Sequence, residues 1–236
     1  MFSIDSNVTT VREHIAGACE SAHRNISEIT IIAVTKEFPA DAVYTAARHD
    51  IEDIGENKVQ ELIAKRNVVN VPVRWHAIGH VQSNKVKYIA PFIHCIHSVD
   101  SKTLLNEIQK EAVKNNRVIN IMFEINVSQE PQKYGIKPVD ARQMAEYASH
   151  LSNIHVVGLM TVAEHTKVES VLHEQFATLR HLRDDIIDEK IPNVQPTELS
   201  MGMSNDFEIA IIEGATMVRL GTALFGERKK NDIIPA

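Results

Sequence analysis

The chain has 236 residues, 44% of them hydrophobic and 24% charged, with a formal net charge of −6. This is the composition of a folded globular protein, and it excludes a disordered, collagen-like or low-complexity chain. An acidic balance argues against binding nucleic acid by phosphate neutralisation, and no apolar run approaches the roughly 20 residues of a membrane span.

The N-terminus, MFSIDSNVTTVREH, has neither the basic start nor the apolar core of a signal peptide. Cys19 and Cys95 stand far apart with no C-x-x-C partner, which points to a reducing, cytoplasmic setting. Val8, Val11, Ile15, Ala18 and Ala22 recur at helical spacing and predict a helix over 7–24, with Asp5 or Ser6 as its cap. The β-branched run ITIIAV (29–34) predicts the first strand, and Pro39 suits the first turn of a helix reaching about residue 49. A strand at 51–55, a helix at 57–67, a strand at 73–79 and a helix near 82–89 follow. FIHCIHSV (92–99) is the fourth strand, and Leu104, Leu105, Ile108 and Ala112 stripe a helix over 101–116.

In the fifth strand, 118–127, Ile119, Ile121, Phe123 and Ile125 alternate with Asn120, Met122, Glu124 and Asn126. Then come a helix at 138–150, a strand at 155–160 and a long helix at 167–188. TELS (197–200) is a short strand and 204–213 a helix, with Ser204 as cap and Gly214 as stop. TMVRL (216–220) is the last strand, with no clear helix behind it. Eight alternating βα units predict one domain over 1–236, an α/β protein of the (β/α)8 TIM-barrel class. An open doubly wound sheet is disfavoured, because no G-x-G-x-x-G follows the first strand. The tail 227–236 is expected to be solvated and mobile.

A barrel of this class carries its site at the C-terminal ends of the strands. Those ends hold Lys36, Asn57, His80, Ser98, Asn126, Met160, Ser200 and Arg219. By parity Lys36 shares a face with Ile32 and Val34, and Arg219 one with Met217. If both faces point inward, two cations approach one pocket. Burial and a nearby guanidinium would lower the lysine's pKa and make it a Schiff-base nucleophile. A lysine that snorkels to the rim or pairs with Glu37 fits the spacing as well. LSMGMSND (199–206) and RLGT (219–222) could together hold a phosphate dianion through Ser200, Ser204 and backbone N–H groups near Gly221 and Thr222. A serine cap beside a glycine turn is the plainer reading of the same residues. His76 and His80, placed on one strand face, and His94, Cys95 and His97 lack metal-ligand spacing, so no metal site is expected. Met201, Met203 and Met217 are read as packing.

The motifs AVTK (33–36), IGENKVQE (54–61), WHAIGHVQSNK (75–85), SVD (98–100), INVSQEPQKYGI (125–136), GLMT (158–161) and LSMGMSNDFEIAIIEGATMVRLGTALFG (199–226) resemble the pyridoxal phosphate homeostasis protein family, single-domain relatives of the alanine racemase barrel. The resemblance covers about residues 7–226. It implies a site for pyridoxal 5′-phosphate (PLP), with Lys36 as the covalent attachment point and Arg219 facing the pyridine nitrogen. Ser200, Ser204, Gly221 and Thr222 are implied phosphate ligands, and Asn57 and His80 are implied to line the ring or its 3′-oxygen. Lys58 departs from the aromatic residue common there.

The implied role is intracellular PLP homeostasis and amino/keto-acid balance without robust turnover, by a cytoplasmic monomer whose partners are PLP and apo PLP-dependent enzymes. The chain stops soon after the eighth strand, so the added β domain of alanine racemases is not expected. The rival readings are a weak PLP-dependent amino-acid racemase or lyase, and a Schiff-base aldolase acting on a sugar phosphate.

Overall fold

In the computed structural model, which describes residues 4–227, the β-branched runs become strands and the striped segments helices. The strands are β1 (Thr30–Val34), β2 (Asp53–Glu56), β3 (Arg74–Ala77), β4 (Cys95–Val99), β5 (Ile119–Glu124), β6 (Ile154–Met160), β7 (Val194–Met203) and β8 (Met217–Leu220). Helix α1 (Ile4–Ser21) precedes β1. Helices α2 (Asp41–Arg48), α3 (Val59–Val68), α4 (Val86–Ile89), α5 (Lys102–Lys114), α6 (Ala141–Ser149), α7 (Glu169–Asp188) and α8 (Phe207–Ile212) separate successive strands. Each strand pairs in parallel with the next and β8 returns to β1, so the sheet closes into the expected (β/α)8 barrel.

The alternation along each strand sorts the core into two parts. Ile119, Ile121 and Phe123 of β5, with Ile54, Leu199, Val218 and Leu220, pack outward into one continuous apolar layer under the helices. Burying a side chain such as Phe123 or Phe176 contributes about 1.5–3 kcal/mol. The opposite parity fills the barrel interior. There Cys95, Met122 and Met160 form a separate small cluster with Met217 beside it, and Asp53, His76, His97, Ser200 and Arg219 are buried as well.

Several boundaries differ from the sequence expectation. Helix α1 already includes Asp5 and Ser6, so neither precedes it as a cap. Strand β7 runs well beyond TELS on both sides, and α8 starts only at Phe207. Gly214 does end α8, in the left-handed region at φ +102°. The last strand is followed by a short helix, α9 (Thr222–Phe225). The tail expected over 227–236 lies, from residue 228 on, outside the described residues. Met203 is 38% exposed and so is not a packing residue, whereas Met201 and Met217 are in the core regions expected. Among the described residues no helix is long and apolar enough to cross a membrane.

Candidate functional site at the mouth of the barrel

Lys36 stands two residues beyond β1, in a turn whose other members are tied down. Thr35 is fully buried; its hydroxyl donates to Glu56 Oε1 at 2.5 Å and its carbonyl accepts from Lys65 Nζ at 2.5 Å. Lys65 also donates to Glu56 Oε1 at 2.6 Å and Glu61 Oε1 at 2.8 Å. The same Glu61 oxygen accepts the N–H of Glu37 at 2.6 Å. Glu37 has φ +63°, uncommon for a residue with a side chain, and this bond helps to hold it there. Residues 35 and 37 are thus both anchored to one cluster of Glu56, Lys65 and Glu61, which sets the backbone of Lys36 between them. Burial pushes the Glu56 carboxyl upward, while Lys65 and Thr35 pull the other way.

Arg219 enters from the adjacent strand. It pairs in register with Ile32 of β1, and its neighbours Val218 and Leu220 point out to the helices. The parity read from the sequence therefore holds: the arginine faces the interior beside the strand that leads to Lys36. One amino group of Arg219 donates to the Ser200 carbonyl at 2.6 Å and the Ser200 hydroxyl at 2.8 Å, and the other donates to the Thr161 carbonyl at 2.8 Å. A guanidinium has five N–H donors, so the Nε–H and one further N–H remain for a ligand. Burial pushes Arg219 down to about 10 against the pull of Asp206 and Glu124, which leaves it cationic at neutral pH. Ser200 is itself 0% exposed, with its hydroxyl 2.9 Å from His97 Nδ1. That hydroxyl is engaged by both Arg219 and His97.

The other expected phosphate residues do come together. Gly202 has φ +91°, and a Cβ there would lie 2.6 Å from Ala210 Cβ and 2.9 Å from Phe207 Cα. Only glycine fits, and the chain folds so that Ser204 faces the end of β8. The Ser204 hydroxyl accepts the N–H of Gly221 at 3.3 Å and of Ala223 at 3.1 Å. Ser204 thus caps α9, where Thr222 begins the helix, instead of capping α8.

Asn57 and His80 sit on the rim. Asn57 follows β2 directly, and a Cβ on Gly79 would lie 2.6 Å from its carbonyl oxygen. Strand β3 ends at Ala77, so His80 lies outside it and does not share a strand face with His76 as expected. His80 stacks on Tyr134, with ring centroids 4.2 Å apart, and its Nδ1 is 3.6 Å from Asp100 Oδ2. Ser98 donates to the Gly79 carbonyl at 2.6 Å, Asn126 turns back to the Glu130 carbonyl at 2.9 Å, and Met160 is interior packing.

Sequence reasoning missed Glu124 and Tyr134. Glu124 closes β5 on the face of Met122. Burial and the nearby Asp100 raise its carboxyl to about 7, with Arg219 opposing. The alternation had already put it on the polar face, and its place at the strand end was the usable signal. The reading also missed that His76, Cys95 and His97 cluster with their ligand-type atoms within 4.8 Å of one another, because neighbouring strands, not local spacing, bring them together. A separate hollow of about 290 Å³, lined by Arg12, Ile15, Thr30, Asp50 and Asp53 among others, opens at the other end of the strands, away from Lys36.

A carboxyl whose folded-state pKa is raised takes up more protons folded than unfolded between the ordinary carboxylate range and about 7. Its contribution to stability is therefore full at low pH and is lost as pH rises through that window. Glu124→Gln is expected to match the wild type near pH 4 and to exceed its stability by about 3 kcal/mol at pH 8. Urea unfolding at the two pH values checks this; the same difference at both would remove the assignment.

Residues 4–229 match the family described as "Alanine racemase, N-terminal domain". The pyridoxal phosphate homeostasis protein of Aquifex aeolicus is 41% identical over 223 residues, 94% of this chain and 97% of that one. Its counterpart in Pseudomonas aeruginosa is 38% identical over 229 residues, 97% of each. Among solved structures, PipY of Synechococcus elongatus with PLP bound aligns with a TM-score of 0.83 at 31% identity, over 95% of this chain and all of that one. Alanine racemase of Clostridium difficile aligns over 98% of this chain and 58% of its own with a TM-score of 0.75, but at 15% identity that likeness concerns the fold alone. With full-length relatives at this identity and a closed barrel that carries Arg219 on the strand next to the one leading to Lys36, the chain belongs to the pyridoxal phosphate homeostasis protein family.

Proposed function

We propose that this protein holds PLP as a Schiff base on Lys36 and serves PLP homeostasis and amino/keto-acid balance, without robust catalytic turnover. The observation that carries the reading is a lysine whose flanking residues are anchored by the Glu56–Lys65–Glu61 cluster, at the end of the strand that pairs with a buried arginine with N–H groups to spare. Bound PLP supplies a reactive aldehyde, which a lysine can mask reversibly, and an aromatic nitrogen that can accept a hydrogen bond. Arg219 meets that nitrogen with a remaining N–H. Ser204, Gly221 and Thr222 receive the phosphate, the Ser204 hydroxyl having its own proton to donate once its oxygen has accepted two N–H groups. Ser200 acts from below, through Arg219. Asn57 and His80 bound the ring side of the mouth. We further propose a cytoplasmic monomer that releases PLP to apo enzymes.

Borohydride reduction of the loaded protein is expected to fix one PLP on the peptide containing Lys36, and Lys36→Ala is expected to abolish the label and the visible absorption. A label on another lysine, or an unchanged spectrum in Lys36→Ala, overturns the reading. Absence of any PLP absorption in the loaded protein would favour the aldolase alternative. Glu124 is the specific observation on the side of a weak racemase or lyase, since a carboxyl titrating near 7 suits acid–base chemistry.

A further inference from the structure

Beneath Arg219 a single file of hydrogen bonds crosses the barrel interior through β7, β4, β3 and β2. Arg219 is 2.8 Å from Ser200 Oγ, and Ser200 Oγ is 2.9 Å from His97 Nδ1. His97 Nε2 is 2.8 Å from His76 Nδ1, and His76 Nε2 is 2.9 Å from Asp53 Oδ1. Asp53 then accepts both a 2.7 Å and a 2.6 Å bond from Arg74, whose side chain reaches solvent at the opposite end of the barrel. Every member between the two arginines is at most 5% exposed.

The donors in this file can be assigned by elimination. Arg219 can only donate, so Ser200 accepts from it. The Ser200 hydroxyl proton then has one acceptor within reach, His97 Nδ1, and leaving it unpaired in a fully buried site would cost about 1–3 kcal/mol. His97 is therefore neutral with its proton on Nε2, and donates to His76. His76 accepts on Nδ1 and donates from Nε2 to Asp53. Burial works against the Asp53 carboxylate, but the bonds from Arg74 and His76 outweigh it and hold the carboxyl well below the usual range. Burial also keeps His97 well below its ordinary range, in agreement with a neutral ring. Between the two arginines every donor proton along the file has an acceptor.

We propose that His97 and His76, both neutral in the Nε2–H form, are positioning residues that lock Ser200 and through it aim the free N–H groups of Arg219 at the cofactor nitrogen. This rests on the reading of Arg219 given above. The file is one-directional and Arg219 does not give up its proton, so the chain orients a permanent donor and delivers no proton to the ring. The same atoms could in principle ligate a soft cation, since Cys95 Sγ lies with His76 and His97. A metal would have to replace the proton between two rings now 2.8 Å apart, and the completed file favours the proton.

Two measurements test this. In the cofactor-free protein, ¹⁵N NMR of labelled histidines at pH 7 is expected to show His76 and His97 each with a proton on Nε2 and none on Nδ1. A proton on either Nδ1, or stoichiometric zinc or copper in the purified protein, overturns the proposal. In the PLP-loaded protein, His97→Gln is expected to shift the visible band and weaken PLP retention about tenfold while Lys36 still labels with borohydride. A folded His97→Gln with band and retention unchanged overturns the positioning role. Failure of Lys36 to label in the wild type would refute the proposed function instead, and the NMR result would still decide the file.

Discussion

Lys65→Met is expected to destabilise the protein by about 3–5 kcal/mol at pH 8, because it removes one partner of a buried ion pair. Lys65 is 3% exposed and its three acceptors are the Glu56 carboxylate, the Glu61 carboxylate and the Thr35 carbonyl. Without it the Glu56 carboxylate stays buried with only the Thr35 hydroxyl, and its second oxygen already has no partner. For a domain with a typical total of roughly 5–15 kcal/mol, that loss is a large fraction. It should lower Tm by on the order of 10 °C for a chain of this size. The variant's Glu56 can escape by taking up a proton, so the loss should shrink at pH 5. Adding Glu56→Gln to Lys65→Met should recover much of the stability at pH 8, since no charge is then stranded. Thermal unfolding of the single and double variants measures all three effects. A loss under about 1 kcal/mol, or one independent of pH, would show that the pair does not anchor the lysine turn.

The barrel was legible because its signals are local and repeated. Isoleucine and phenylalanine alternate with polar residues along β5, helical stripes separate the strands, and a glycine stops α8. Parity along β8 was enough to turn Arg219 to the interior, in register with Ile32 of the strand that leads to Lys36. What failed depends on contacts between distant segments. Glu61 and Lys65 have the i,i+4 spacing of a solvated helical pair, yet α3 buries Lys65 to meet Glu56 and the chain beside Lys36. Ser204 has the sequence setting of a helix cap, and it is one, but for α9 across the end of β8. Ser200 looked like a phosphate ligand because polar residues at strand ends usually face solvent or ligand. Its hydroxyl also meets His97, which pairwise spacing could not connect to it across a separation of 103 residues. The buried polar file is invisible to periodicity for the same reason, since each strand contributes only one or two of its members.

Amino-acid racemisation is expected to be negligible in this protein, and the reason lies in Arg219. If that guanidinium meets the pyridine nitrogen, it offers a hydrogen bond and withholds a proton. In the tautomer assignment proposed above, the file beneath it donates away from Arg219, through two neutral histidines to Asp53, and so supplies none either. A ring left unprotonated is a weak electron sink, so removal of an α-proton by Lys36 gains little stabilisation at the substrate carbon. Glu124 is the group that could change this outcome, as a carboxyl raised to about 7 in the same interior region. Positioned acid–base help is worth roughly 10²–10⁴-fold per group. If Glu124 supplied it, Glu124→Gln would lower α-proton exchange by that factor. We expect instead that exchange of alanine in deuterated water stays far below ordinary enzyme rates of about 1–10³ per second, and that Glu124→Gln changes it less than about tenfold. Lys36→Ala serves as the control for background exchange, and chiral analysis of the product separates exchange from inversion. Turnover within the ordinary enzyme range, lost in Glu124→Gln, would make the protein a racemase and overturn the reading of a carrier.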